Sequence, residues 1–144
     1  MDQNLQELIE GLNEDLANEY TAQIMYTNYA AVVSGLHRAV LKPFFEGEVG
    51  DEQGHALYLA EKIKTLGGTP TTTPAPVKQT DNVKEMLQAA RQAEKETIDR
   101  YKVRKEQAEA LGLTELVVKL DDLISDETHH MEELDRMLMD PAFQ

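Results

Sequence analysis

The sequence contains no cysteine among its 144 residues. Disulfides, thiolate catalysis and zinc-thiolate sites are therefore excluded, and a reducing compartment such as the cytoplasm is the expected location. No apolar run approaches the roughly 18 residues that a membrane span requires. The opening residues, MDQNLQELIE, lack the basic start and the apolar core of an export signal. We expect no membrane partner.

Positive charge is scarce, and the formal net charge is -13. Such a surface repels nucleic acid and anionic lipid and attracts cations, so we expect no nucleic-acid partner. Hydrophobic residues make up 41% of the chain, and that share is enough for a globular core in a chain of one-domain length. We expect a single domain over residues 1–144.

Proline and glycine divide the chain into four long segments, the first of which contains no proline and no strong helix breaker except Gly11. The predicted helices run from Asn4 to about Val33, from Pro43 to Leu66, from Asp81 to Leu111, and from Thr114 to just before Asp140. Within each segment, apolar residues recur at alternating spacings of three and four, which is typical of the buried seam of a helix bundle. The sequence thus predicts an all-α fold with four helices.

The segment from Gly68 to Thr80 is rich in threonine and proline, so we expect an extended linker. When stretched, its about 13 residues span roughly 40 Å, about the length of the second helix. The other two connections are short and favour antiparallel neighbours. The linker can therefore run the length of the bundle and place the second and third helices parallel, as in a crossover bundle.

Acidic and histidine side chains interrupt the apolar seams in a pattern that occurs twice. The first copy consists of Glu19, Tyr26 and Asp51-Glu52-x-x-His55. The second copy consists, at identical spacing, of Glu94, Tyr101 and Asp126-Glu127-x-x-His130. Chance produces about half of one E-x-x-H in such a composition, but two copies at matched distances indicate a pseudo-two-fold axis through the core.

Residues three apart on a helix share a face, so each E-x-x-H directs a carboxylate and an imidazole toward the same point. Buried carboxylates without partners would cost several kcal/mol each, and two divalent cations would neutralise four of them. Oxygen and nitrogen donors without sulfur suit iron or manganese, and zinc can substitute. The predicted ligands are Glu19, Glu52, His55, Glu94, Glu127 and His130.

Glu52 and Glu127 lie nearest the pseudo-axis, so we expect them to bridge the two metals. A ligand histidine needs an acceptor for its other ring nitrogen. We expect Asp51 to pair with His130, and Asp126 to pair with His55.

Some side chains near these motifs allow two interpretations. Tyr26 and Tyr101 are placed to hydrogen-bond to the site, although core packing alone would also explain them. Glu96 is an alternative to Glu94, and the matched 33-residue separation between the glutamates favours Glu94. Glu48 is a candidate to guide iron to the site, but acidic helix surfaces are common, so it is interpreted as an ordinary surface residue.

At these residues the sequence resembles the ferritin-like superfamily, and most closely bacterioferritin, from LNEDLANEY to DETHHMEEL. The resemblance implies a crossover four-helix bundle whose di-iron centre is a ferroxidase that oxidises Fe(II) with O2 or H2O2. It also implies a hollow homo-oligomer that stores the oxidised iron. The six predicted ligands would then be the ferroxidase ligands.

The sequence departs from the bacterioferritin pattern at two places. Gln53 stands where that family has the methionine that binds haem, so we expect no haem. The sequence ends at Gln144 without a short fifth helix, so we expect a dimer or a 12-subunit cage. Two other functions fit the pattern: peroxide detoxification without mineral storage, as in rubrerythrin or manganese catalase, and a metal-free structural bundle.

Overall fold

The computed structural model describes residues 2–144 and contains four long helices. They are α1 (Gln3–Val32), α2 (Arg38–Thr65), α3 (Val83–Ala110) and α4 (Thr114–Met137), followed by a short 3-10 helix at Pro141–Phe143. The described residues form no strand, and none of their helices is long and apolar enough to cross a membrane. The predicted all-α, four-helix architecture is confirmed.

Side-chain caps and left-handed glycines define the helix ends. The carboxylate of Asp2 accepts hydrogen bonds from the backbone N–H groups of Asn4 and Leu5, at 2.7 and 3.3 Å, so Asp2 caps α1 just before the predicted start. Gly67 and Gly112 follow α2 and α3 with φ angles of 99° and 68°. Glycine adopts this conformation without the strain that a Cβ atom would cause.

Helix α2 begins at Arg38, so the predicted start at Pro43 was wrong. Pro43 lies in the second turn and lacks the N–H group that a helix would bond to the carbonyl of residue 39. The turn stays helical because Leu41 and Phe45, on either side of the proline, are buried at 3% and 0% exposure. Burial of two large apolar side chains outweighs one missing backbone hydrogen bond.

The segment between α2 and α3 runs along α1. Asn13 donates through its amide nitrogen to the carbonyl of Thr69 at 3.0 Å and accepts from the N–H of Thr71 at 2.8 Å. Further along α1, the hydroxyl of Thr21 accepts from the N–H of Ala75 at 2.8 Å. Hydrogen bonds to α1 therefore hold the linker in its extended course.

The hydrophobic core is divided into two clusters at opposite ends of the bundle. The Leu12 cluster includes Leu8, Leu12, Leu59, Ile63, Ala108 and Leu120. The Phe45 cluster includes Tyr29, Phe45, Met86, Leu87 and Leu134. The C-terminal parts of α2 and α3 share the Leu12 cluster, so these two helices run parallel and the predicted crossover is confirmed. Between the two clusters, the core positions carry polar side chains.

Candidate metal centre

The six predicted ligands lie together between the Leu12 cluster and the Phe45 cluster. They are Glu19 on α1, Glu52 and His55 on α2, Glu94 on α3, and Glu127 and His130 on α4. Each has at most 7% of its surface exposed. Glu96, the alternative to Glu94, is exposed. The seam positions of four helices thus bring one carboxylate or one E-x-x-H pair each to a common buried point.

The ligand atoms form two overlapping groups. The His55 cluster consists of Glu19, Glu52, His55 and Glu127, and the His130 cluster consists of Glu48, Glu52, Glu94 and His130. Within each cluster, one ligand atom per residue lies within 4.8 Å of all the others. Three carboxylates and one imidazole form an oxygen and nitrogen donor set that suits iron or manganese. The donors fit two neighbouring divalent cations.

Glu52 and Glu127 lie within reach of both clusters. The Oε2 atom of Glu52 is 3.6 Å from Nδ1 of His55, and its Oε1 atom is 3.7 Å from Nδ1 of His130. The Oε1 atom of Glu127 is 3.0 Å from Nδ1 of His55 and 3.7 Å from Nδ1 of His130. One carboxylate from α2 and one from α4 therefore occupy the middle of the centre, as bridging groups would.

The outer ring nitrogen of each histidine faces an aspartate on the neighbouring helix. Nε2 of His55 is 3.2 Å from Oδ2 of Asp126, and Nε2 of His130 is 3.1 Å from Oδ2 of Asp51. These are the two pairings that the sequence predicted. Because an aspartate accepts the proton of Nε2–H, each imidazole is oriented with Nδ1 toward the glutamates.

Each tyrosine of the repeat bonds to the glutamate of the other copy. The hydroxyl of Tyr26 donates to Oε1 of Glu94 at 2.6 Å, and the hydroxyl of Tyr101 donates to Oε1 of Glu19. Both tyrosines are fully buried. Burial and the charge of the bonded glutamate raise the pKa of each hydroxyl well above its usual value, so both remain donors. The Oε2 atom of each glutamate stays unpaired.

Seven buried atoms of the centre have no hydrogen-bond partner. They are Oε2 of Glu19, Oε2 of Glu48, Oε1 of Glu52, Nδ1 of His55, Oε2 of Glu94, Oε1 of Glu127 and Nδ1 of His130. An unpaired buried polar atom costs about 1–3 kcal/mol, and native proteins contain few of them. All seven belong to the two clusters, where cation coordination would satisfy them. The residues present therefore fit a pair of metal ions.

Protons stand in for cations when the centre binds no metal. Burial alone would lower the pKa of His55, but contacts with Glu19 and Glu52 outweigh it and raise the pKa to about 11. Burial raises the pKa of Glu52 and of Glu127 well above the usual carboxyl value, and the charges of Glu19 and Glu94, respectively, add to the shift. The interior thus accepts the carboxylates only when positive charge accompanies them.

Glu48 is the member of the centre that the sequence did not predict. It is only 4% exposed, and its Oε2 atom lies 2.8 Å from Nδ1 of His130. A signal was available, because Glu48, Glu52 and His55 are spaced by four and three residues on one face of α2. The repeat hides this signal, since the residue that corresponds to Glu48 in the second copy is Leu123.

The fold and the two buried clusters define a class of protein. The family model described as the ferritin-like domain matches residues 9–141 of the chain. The chain therefore belongs to the ferritin-like family, as the sequence motifs indicated. It is 32% identical over 133 residues to a bacterioferritin of Streptomyces coelicolor, and the match covers 92% of this chain and 80% of that protein.

Solved structures agree with this assignment. A ferritin-like, diiron-carboxylate protein of Bacillus anthracis is 70% identical, with a TM-score of 0.95 over 96% of this chain and 99% of that one. A bacterioferritin of Desulfovibrio desulfuricans, whose diiron site was observed in different catalytic states, is 25% identical. Its TM-score is 0.86 over 93% of this chain and 79% of that one. The two clusters thus lie in a fold of the diiron-carboxylate type.

Proposed function

We propose that the protein is a ferroxidase that binds two Fe(II) ions as substrate, one in the His55 cluster and one in the His130 cluster. The observation that carries this proposal is the set of seven unpaired buried atoms that converge on two adjacent points. Coordination of a cation by each cluster would satisfy all of these atoms together. Two divalent cations would bring four positive charges to the five buried carboxylates of the centre, which are Glu19, Glu48, Glu52, Glu94 and Glu127.

The two iron ions would supply two electrons, which convert O2 and two protons to H2O2, or H2O2 and two protons to two waters. The chain supplies geometry. Glu52 and Glu127 hold the two positions at a fixed separation, and Asp51 and Asp126 orient the imidazoles. The tyrosine hydroxyls fix one oxygen of each terminal glutamate.

The same ligands also accept metals other than iron, whereas the position of Gln53 does not suit haem. Manganese and zinc suit the same donors and are expected to bind as substitutes, although zinc supplies no electron. Gln53 is exposed on α2 and offers a haem iron no thioether, so we propose that no haem binds at this position.

We further propose that copies of the chain associate in the cytoplasm, as a dimer at least and up to a 12-subunit cage, and store the oxidised iron. Large apolar side chains on the outer surfaces of α1 and α2 support association. Ile24 is 47% exposed and Leu57 is 68% exposed. These apolar groups would be removed from water if a second copy of the chain packed against α1 and α2.

The test is aerobic addition of Fe(II) to the purified protein, followed by ferric absorbance. Glu127→Ala removes a group within reach of both clusters, and we expect the initial rate to fall at least about 100-fold. Glu132→Ala, an exposed glutamate on the same helix, is the matched control and should oxidise iron at the rate of the unchanged protein. Equal rates in Glu127→Ala and in the unchanged protein would refute the proposal.

Particle mass and iron content distinguish storage from the alternative function. A cage that retains many iron atoms per chain supports ferroxidase with storage. A dimer that consumes H2O2 and retains about two metal ions per chain would instead support peroxide detoxification of the rubrerythrin or manganese catalase type, because a dimer cannot enclose a mineral.

A further inference from the structure

The repeat of the sequence breaks at one position inside the metal centre. Residues 75 apart correspond in the two copies, so that Glu52 matches Glu127 and His55 matches His130. Glu48 matches Leu123. Both of these side chains are buried, at 4% and 6% exposure. The centre therefore holds a carboxylate, Glu48, whose counterpart in the other copy, Leu123, is a hydrocarbon side chain of the Leu12 cluster.

Glu48 belongs to the His130 cluster and not to the His55 cluster. Its Oε2 atom is close to Nδ1 of His130 but has no hydrogen-bond partner. Each cluster as defined contains three carboxylates, and Glu52 belongs to both. However, Nδ1 of His55 has three glutamate carboxylates within 3.7 Å, whereas Nδ1 of His130 has four within 3.9 Å, because Glu127 reaches both histidines and Glu48 only one. The negative charge around the two positions is unequal.

The side of the bundle at Glu48 also carries a cavity of about 330 Å³ between α2 and α4. Glu48 and His130 line this cavity together with Asp51 and Glu133. The same two side chains thus contact both the cavity and the buried ligand atoms. A cation that enters along this face meets carboxylates before it reaches the shared Glu52.

We propose that Glu48 makes the two metal positions unequal, so that the first divalent cation occupies the His130 cluster and the second occupies the His55 cluster. The number of charged ligands tunes the affinity of an oxygen-donor site for a divalent cation. We expect the two affinities to differ at least about ten-fold. This inference rests on the two-metal centre of the proposed function, and it concerns the order of loading and not the oxidation of iron.

The experiment is an anaerobic titration of the metal-free protein with Co(II), followed by calorimetry and by the visible absorbance of bound cobalt. The unchanged protein should bind two ions in two separable steps. In Glu48→Gln, which keeps the side-chain size, the tighter step should weaken about ten-fold and merge with the second. Glu48→Leu copies the residue of the other half and should do the same.

Further variants test whether the weakening of the tighter Co(II) step is specific to Glu48 and which cluster binds the first ion. Glu46→Gln removes an exposed carboxylate of the same helix and should leave both steps unchanged. His55→Ala should keep the tighter step and weaken the other, whereas His130→Ala should weaken the tighter step. Leu123→Glu introduces a carboxylate at the position that corresponds to Glu48 in the other copy. This variant should tighten the second step.

The outcomes separate this inference from the proposed function. Two equal steps in the unchanged protein, or a Glu48→Gln titration identical to it, would overturn the unequal loading and leave the two-metal centre intact. If the tighter step is lost in His55→Ala and kept in His130→Ala, the first ion binds in the His55 cluster, and the inference is overturned. Absence of any bound Co(II) would overturn both the inference and the proposed metal centre.

Discussion

Apart from Glu48, the two sides of the centre carry the same repeated ligands in different surroundings. On the side of the Leu12 cluster, a buried ion pair joins α1 to α3, and Nε of Arg104 donates to Oδ2 of Asp15 at 2.9 Å. At the corresponding positions of the other copy, the Phe45 cluster holds Ala90 and Tyr29. The comparison teaches that the repeat extends to the predicted ligands and their partners, while the packing around them differs between the two halves.

The guanidinium group of Arg104 lies in space that Gly11 leaves open. A Cβ atom at residue 11 would lie 2.4 Å from Cζ of Arg104, so only glycine leaves room for the guanidinium group. Burial raises the pKa of Asp15 to about 7, although Arg104 and Arg100 oppose the shift. The attraction between the charges therefore does not fully offset the cost of burying the carboxylate.

Removal of one partner of this pair should have the largest effect on stability. Arg104→Leu leaves the Asp15 carboxyl buried without its main donor, and we expect the free energy of unfolding to fall by about 3 kcal/mol. Urea denaturation followed by circular dichroism measures this loss.

The double variant Asp15→Ala with Arg104→Tyr copies the other half of the molecule. It leaves no buried charge, so it should lose less than half as much stability as Arg104→Leu alone. If Arg104→Leu is as stable as the unchanged protein, the buried ion pair does not make the stability of one side depend on a charge that the other side lacks.

Metal binding should stabilise the fold by a somewhat smaller amount. A ligand at 100 times its Kd contributes about 2.7 kcal/mol, which corresponds to a rise in Tm of roughly 5–10 °C for a chain of this size. Glu52 serves both clusters and Glu94 serves one. We therefore expect Co(II) to leave the Tm of Glu52→Ala nearly unchanged and to raise the Tm of Glu94→Ala by about half as much as that of the unchanged protein.

The measurement is differential scanning calorimetry with and without Co(II). Glu46→Ala is the matched control on α2 and should show the full rise. Identical rises in Glu52→Ala and Glu46→Ala would contradict the assignment of Glu52 as a shared ligand.

The smallest expected effect concerns the two tyrosines. Tyr26→Phe removes the hydrogen bond to Glu94, and Tyr101→Phe removes the bond to Glu19. Loss of one such bond costs about 1 kcal/mol, or roughly a five-fold weaker affinity. In the Co(II) titration, Tyr26→Phe should affect the step of the His130 cluster, and Tyr101→Phe should affect the step of the His55 cluster. Effects on the opposite steps would show that the tyrosines do not act through these glutamates.

Much of the fold was predictable because helix periodicity is local. Apolar residues three and four apart determine which face of each helix is buried, whatever that face later contacts. The polar interruptions lie on the same faces, so Glu52 and His55 must point inward with the seam. The length of the Gly68–Thr80 linker then limits how the second and third helices can be joined.

Other features depend on contacts that no local pattern contains. Helix α2 extends across Pro43 because Leu41 and Phe45 are held by the core. Glu48 becomes a member of the centre because α4 brings His130 to within 2.8 Å of it. The sequence places Glu48 on the same face of α2 as Glu52 and His55, but spacing along one helix does not show that it meets a histidine of α4.

The sequence by itself determined the four amphipathic helices, the doubled Glu-x6-Tyr and Asp-Glu-x-x-His pattern, and the residues that must share a buried face, because these follow from spacing along one helix. Only the tertiary structure decided which tyrosine holds which glutamate, that Glu48 joins a single cluster, and that an ion pair is buried on one side. Those features depend on the rotation and approach of separate helices, where a shift of a few ångströms decides which atoms meet.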